Sequence, residues 1–192
     1  MEKAMENKSP GRPRSADAHR AVLDAALALA VRDGYAAVTM KAIAEEAGVG
    51  RQTVYRWWPT RGAVLIEAMG EIGAAHGAPP ASGDPVADLR VFLDQTFALA
   101  DKAPVADVLL GLLSDAFADT ELSTTMRAYI AGRRALLAEV LGRQGAGGWK
   151  VPVPTVVDLV FGAMWYRLMN QHGPVGPELT KEVLVVVAAL RD

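Results

Sequence analysis

Apolar side chains recur at intervals of three and four along most of the chain, the spacing that gathers them on one face of an α-helix. The first stripe, Val22, Leu23, Ala26, Leu27, Leu29 and Ala30, predicts a helix over 16–32. Ser15 can cap its start, Asp17 sits near its positive end, and Gly34 lies just beyond its last turn. Two short helical segments follow, the first with Thr39 as its cap. The second ends near Trp58, because Pro59 forces its predecessor toward extended geometry. Thr60 can then cap a fourth helix running to about residue 75.

Residues 76–85, with three prolines and two glycines, form the clearest boundary in the chain. Helical periodicity resumes beyond it through Val86, Leu89, Phe92, Leu93 and Phe97, then Val105, Val108, Leu109, Leu112, Leu113 and Phe117. A longer run carries Leu122, Met126, Tyr129, Ile130, Leu136, Leu137, Val140 and Leu141, and a glycine-rich loop over 142–150 interrupts the pattern. The repeat returns in Val157, Val160, Phe161, Met164, Trp165 and Leu168, and again in Leu179, Val183, Val186, Val187 and Leu190. That last segment is rich enough in valine to suggest a strand, but no partner strand exists elsewhere, so it is read as helix. The expectation is an all-α chain of about nine helices.

The two short segments carry chemistry. Ala44 is small enough to admit a second helix, Gly48 can take the left-handed backbone of a tight turn, and Val54 closes the corner with Ile43, Ala47 and Val49. Arg51, Gln52, Thr53, Tyr55 and Arg56 are left on a short helix whose outward side can donate hydrogen bonds to bases and phosphates. The spacing reads as a DNA-binding helix-turn-helix.

Residues 12–69 resemble the N-terminal domain of the tetracycline-repressor (TetR) family of bacterial transcription regulators. The resemblance rests on a first helix ending in Asp33, Gly34 and Tyr35, then Thr39, the run from Ile43 to Val49, then Thr53 to Tyr55 and Trp57 to Arg61. It covers about a third of the chain. The organisation it implies is a basic N-terminal arm over 1–14, a three-helix helix-turn-helix domain over 15–62, a connecting helix over 63–78, and a C-terminal helical ligand-binding and dimerisation domain over 84–192.

Composition agrees with an ordered protein: 51% of 192 residues are apolar and 22% charged, enough to bury a substantial core. The absence of cysteine excludes disulfides, thiolate metal sites and a cysteine nucleophile, and suits a cytoplasmic location. No secretory signal is visible. The longest apolar run, 183–190, is far short of the ~20 residues that a membrane span requires, so no membrane partner is expected. A net charge of −2 looks unpromising for a nucleic-acid binder, but the average hides a gradient. Residues 1–62 hold ten Lys or Arg against seven Asp or Glu, a balance of +3, whereas 63–192 hold ten against fifteen, a balance of −5. The basic end carries the motif.

Arg51 and Gln52, at the start of the second short helix, are best placed to read bases in the major groove, where arginine suits guanine and glutamine adenine. By resemblance to the family, Thr39, Thr53, Tyr55 and Arg61 match phosphate-binding positions, and Lys41 and Arg56 are further candidates. Gly50 stands where the family often has serine, which leaves that helix with a weaker cap. Gly11, Arg12, Pro13 and Arg14 cannot be helical on this reading; Arg12 and Arg14 either lie in an A·T-rich minor groove or belong to a flexible tail. Trp57 and Trp58 could stack on bases, but beside a helix end they are better read as packing between head and fourth helix.

A single short reading helix covers few base pairs, so specificity calls for a dimer with heads spaced ~34 Å or a multiple apart. Family members pair their last two long helices, which points to Val157, Val160, Phe161, Met164, Leu168, Val183, Val186, Val187 and Leu190; the alternative is that these stripes face their own core. The family also implies a small-molecule effector, hydrophobic or aromatic, held by Phe92, Thr96, Met126, Tyr129, Met164, Trp165, Met169 and Asn170. No cofactor and no metal are expected: His19, His76 and His172 are scattered, and the glycines of 145–148 lack the lysine of a phosphate loop. The expected function is therefore a ligand-responsive transcriptional regulator, more readily a repressor. The competing classes are a helical ligand-binding or interaction protein without DNA binding and, least favoured, a small enzyme.

Overall fold

A computed structural model describes residues 13–75, 81–143 and 148–192. Among these, nine α-helices account for nearly all regular structure: α1 (Pro13–Asp33), α2 (Met40–Glu46), α3 (Arg51–Trp57), α4 (Arg61–Ala75), α5 (Pro85–Asp101), α6 (Val105–Ala116), α7 (Thr120–Gly142), α8 (Val153–Asn170) and α9 (Pro177–Ala189). The valine-rich last segment is helical, as its lack of a partner strand requires.

Local sequence explains most boundaries. Asp84 accepts from the backbone N–H groups of Val86 and Ala87 at 3.0 and 3.1 Å, capping α5, and Asp119 does the same for Glu121 and Leu122 at the start of α7. The Thr60 hydroxyl accepts from the Ala63 N–H at 3.2 Å, the cap expected for α4. One boundary departs from expectation: α1 begins at Pro13, not after Ser15. Proline is well suited to a first helical turn, where its missing N–H has no partner to lose, so residues 13 and 14 extend the helix that they were expected to precede.

Two apolar cores hold the helices together. The first gathers Val22, Leu23, Ala26 and Leu29 of α1, Ile43, Val54 and Trp58 of the motif, and Val64, Leu65 and Met69 of α4. It also takes in Val108 and Leu112 of α6 and Leu122 and Met126 of α7. The second joins α5, the later part of α7, α8 and α9 through Phe92, Phe97, Leu137, Val160 and Leu179. The core of the head thus crosses the proline-rich boundary. Trp165 of α8 packs against both cores.

Candidate nucleic-acid interface and effector cavity

Thr39 is extended, and its hydroxyl accepts from the Ala42 N–H at 3.1 Å, which starts α2. The helix ends at Glu46, and beyond its cap Ala47 stands Gly48, whose φ of +66° is the left-handed turn that its lack of a side chain permits. The Val49 N–H donates to the Ala44 carbonyl at 3.0 Å and the Gly48 N–H to that of Glu45 at 3.3 Å, the paired closure of a Schellman turn. Gly50 leads α3 with no side-chain cap. Val54 is fully buried against Ile43 and Ala44, which fixes the angle between the two helices.

That packing turns one side of α3 outward. Arg51, Gln52, Tyr55 and Arg56 are exposed on it, and Thr53 is half-buried. The Arg56 guanidinium lies 5.1 Å from the centroid of the Trp57 ring, so part of its reach is spent on a stacking contact. Lys41 is exposed on α2, 3.8 Å from Glu45. Thr39 is exposed at the same end. Arg12 lies outside the described residues, and of Arg14 only the helical backbone is described.

Arg61 departs from its expected place. Its guanidinium points into the protein, donating to the Val38 carbonyl at 2.9 Å and pairing with Asp115 of α6 at 2.8 Å, while lying 4.6 Å from the Tyr35 ring centroid. A side chain with these partners is not free for a phosphate; the physical reason is that the carboxylate and three backbone carbonyls of the 35–38 segment surround it with acceptors. The Tyr35 hydroxyl donates to Asp115 at 2.7 Å. Burial, then this hydrogen bond, push the Tyr35 phenol well above its usual range. The bonds from Tyr35 and then Arg61 hold the Asp115 carboxyl below its own.

Trp58 is 3% exposed and fills the wedge between head and α4, its indole N–H donating to Glu67 of α4 at 2.6 Å. His19 of α1 reaches the other Glu67 oxygen at 2.9 Å and lies 4.7 Å from the Trp58 ring and 5.4 Å from the Trp57 ring. Packing, not base stacking, occupies Trp58.

A cavity of about 270 Å³ opens where the two cores meet. Met69 of α4, Thr96 and Leu99 of α5, and Val105 and Leu109 of α6 form one side. Tyr129, Ile130 and Arg133 of α7 and Phe161, Met164 and Trp165 of α8 form the other, with Arg134 and Asp158 at the rim. Of the residues expected to hold an effector, Thr96, Tyr129, Met164 and Trp165 line it. Phe92 and Met126 are buried in the flanking cores and do not reach its surface, while Met169 and Asn170 point to solvent from the end of α8. Burial also raises the Tyr129 phenol, against the opposing pull of Arg133.

The stripe expected to form the dimer interface mostly faces inward. Val157, Val160, Phe161, Met164, Leu168, Val183 and Val187 are buried within their own chain, because the three-and-four repeat of α8 and α9 is answered by α5 and α7. Only Val186 is exposed and Leu190 half-exposed. The outward apolar residues are instead Leu159, Tyr166 and Met169 of α8 and Val185 and Val186 of α9.

Sequence reasoning missed Arg133, although the apolar stripe of α7 through Met126, Tyr129, Ile130 and Leu137 places a charge at position 133 within it. Asp115 and Tyr35 offered no such signal, since their pairing joins residues 80 positions apart.

Comparison with known proteins agrees with this geometry. Residues 22–68 match the family described as bacterial regulatory proteins, tetR family, and residues 79–187 match the tetracyclin repressor-like C-terminal domain. The chain is 27% identical over 181 residues to an uncharacterized HTH-type transcriptional regulator, YdeS, of Bacillus subtilis, covering 91% of this chain and 90% of that one. It is 34% identical over 87 residues to the HTH-type transcriptional repressor KstR of Rhodococcus jostii, covering 44% and 41% of the two chains. The crystal structure of the TetR family transcription regulator SCO0332 superimposes with a TM-score of 0.75 and 30% identity, over 88% of this chain and 95% of that one. The protein is a DNA-binding transcriptional regulator with an N-terminal helix-turn-helix, and it belongs to the TetR family.

Proposed function

We propose that this protein is a ligand-responsive repressor that holds a palindromic operator as a homodimer and lets go when a small hydrophobic or aromatic effector enters the body. The observation that carries the reading is the position of the cavity: Met69 of α4, the helix that follows the reading head, forms part of its wall. An occupant that displaces α4 moves the head directly, through Trp58 and Glu67 and through Arg61 and Asp115. It acts by binding the conformation with misplaced heads more tightly, which shifts the population off DNA. Repression is favoured because KstR, similar to this chain over 87 residues, is a repressor.

Arg51 and Gln52 read bases, and Thr39, Thr53 and Tyr55 hold phosphates, with Lys41 and Arg56 assisting. The outward face of α8 and α9 supplies the dimer contact. Among the described residues no helix is long and apolar enough to cross a membrane, in keeping with a regulator that meets DNA in the cytoplasm.

The test is binding to palindromes from the region upstream of the chain's own gene, measured by fluorescence anisotropy over a range of salt. A specific complex whose affinity falls steeply with salt is expected. A helical interaction protein or an enzyme would show no such complex.

A further inference from the structure

Among the described residues, Arg133 is the one cation of the cavity wall that no acid neutralises. It projects from α7 at a position its neighbours use for the core, between Tyr129 and Leu137. Its Nη2 donates to the buried Thr96 hydroxyl at 2.9 Å, and its guanidinium carbon lies 5.5 Å from the centroid of the buried Phe92 ring. Both partners are neutral. No carboxylate among the described residues lies within ion-pair distance of it, whereas its neighbour Arg134 is paired with Asp158 at the rim. The three charged groups of the lining therefore carry one unanswered positive charge, and that charge belongs to Arg133.

A guanidinium half-withdrawn from water among apolar side chains is costly without an anion, and one hydroxyl engages only one of its five N–H donors. The remaining donors form a planar fork that matches a carboxylate in two parallel hydrogen bonds. A single cation answers a single negative charge, which favours a carboxylate over a dianionic phosphate. The rest of the wall, Phe161, Trp165, Met69 and Leu109, offers an apolar body its surface. A volume of about 270 Å³ limits that body to a small molecule.

We propose that the effector is a small amphipathic carboxylate, its head on Arg133 and its apolar body against Phe161 and Trp165. This rests on the effector reading above and names the chemistry of that site. It also supplies a route outward: a Cβ at Gly73 of α4 would stand 3.4 Å from Arg133 Nη1, so an anion that draws the guanidinium acts beside the helix that carries the head.

The experiment compares acids with alcohols of the same carbon skeleton, octanoate with octanol and phenylbutyrate with phenylbutanol. Binding is measured by isothermal titration calorimetry on the full chain at neutral pH. Wild type is expected to bind each acid about tenfold or more tighter than its alcohol, the gain typical of a hydrogen bond to a charged group. Arg133→Met should erase the gap while keeping the alcohol's affinity, and Arg133→Lys should keep part of it. Equal binding of acid and alcohol by wild type, a comparison that needs no variant, overturns the proposal, as does a gap that survives in a folded Arg133→Met. Tight alcohol binding with no acid preference would leave the effector reading standing and remove only the carboxylate. If neither kind of probe binds, both readings fall.

Discussion

Arg61 Nη2 on α4 and the Tyr35 hydroxyl beyond α1 donate to the same oxygen of Asp115 on α6, at 2.8 and 2.7 Å. One carboxylate of the body thus holds two pieces of the reading head. Removing it in Asp115→Ala is expected to cost about 1 to 2 kcal/mol, less than two buried charged hydrogen bonds because both side chains are partly solvated. Thermal denaturation with and without the substitution measures the loss.

Arg61→Ala distinguishes the inward role of this side chain from the phosphate contact that family resemblance implies. The variant is expected to melt earlier and yet keep the wild-type slope of log affinity against log salt. A phosphate-binding arginine would take close to one unit of that slope away with it. Operator titrations at several salt concentrations decide between the two.

The same node predicts a pH dependence. Asp115 is held below its ordinary value of about 3.9, so it binds fewer protons folded than unfolded just under that pH. Its stabilising contribution is complete above the unfolded pKa and is lost as pH falls through the lower folded one. Asp115→Asn should therefore flatten the acid limb of the stability curve below about pH 4 and leave its shape at neutral pH unchanged. Tyr35 works in the opposite sense: its raised pKa keeps the neutral phenol in place below about pH 10, and that contribution fades on further alkalinisation. Urea denaturation across pH reads both limbs.

Two glycines separate overpacking that must be accommodated from overpacking that can be relieved. A Cβ at Gly111 of α6 would come within 2.3 Å of the Tyr35 ring, a rigid group that Asp115 already holds. A Cβ at Gly62 of α4 would come within 2.5 Å of Leu122, but of the methyl end of a side chain that can rotate. Gly111→Ala is expected to destabilise by about 1 to 3 kcal/mol and to loosen Tyr35, while the gain in helix propensity offsets much of the smaller strain in Gly62→Ala. Melting temperatures of the two variants should fall in that order.

How far the sequence could be read follows from how local each signal is. The turn at Gly48, the weak start at Gly50, the stop at Pro59 and the caps at Thr39 and Thr60 are all set within five residues, and all stand where the pattern puts them. The apolar stripes likewise located the helices. They did not say which neighbour answers each stripe. Val160 and Leu168 read equally well as a dimer face or as core, and only the presence of α5 and α7 resolves them as core. The inward turn of Arg61 depended on Asp115, 54 positions away, and no periodicity encodes such a pairing.

The exposed face of α3 predicts two kinds of operator defect. Arg51→Ala and Gln52→Ala are expected to relax preference at particular base pairs by about 1 to 3 kcal/mol and to change little elsewhere. Tyr55→Phe, which removes only a hydroxyl, should weaken all operator sequences alike. Competition binding against a panel of singly substituted operators separates the patterns. Uniform weakening by all three would mean that α3 lies against the backbone and not in the groove.

The inward and outward faces of α8 make the last prediction. Leu168 is buried on the inner face of α8, and Leu168→Ala should cost about 2 to 5 kcal/mol of folding stability, as large-to-small core changes do. Tyr166, two residues earlier, is 61% exposed, and Leu159 is 49% exposed two turns before it on the same side. A charge at either position can reach solvent in an isolated chain, and at 166 it forfeits only the edge-on contact with the His172 ring, so Tyr166→Glu and Leu159→Glu should leave the monomer's helicity and melting nearly unchanged. In a dimer joined through this face the same charges are buried against a second apolar surface without a partner, and the assembly should dissociate. Sedimentation velocity then shows monomers, and affinity for the full palindrome falls toward that for a half-site. Dimers that persist in both variants would move the interface away from α8.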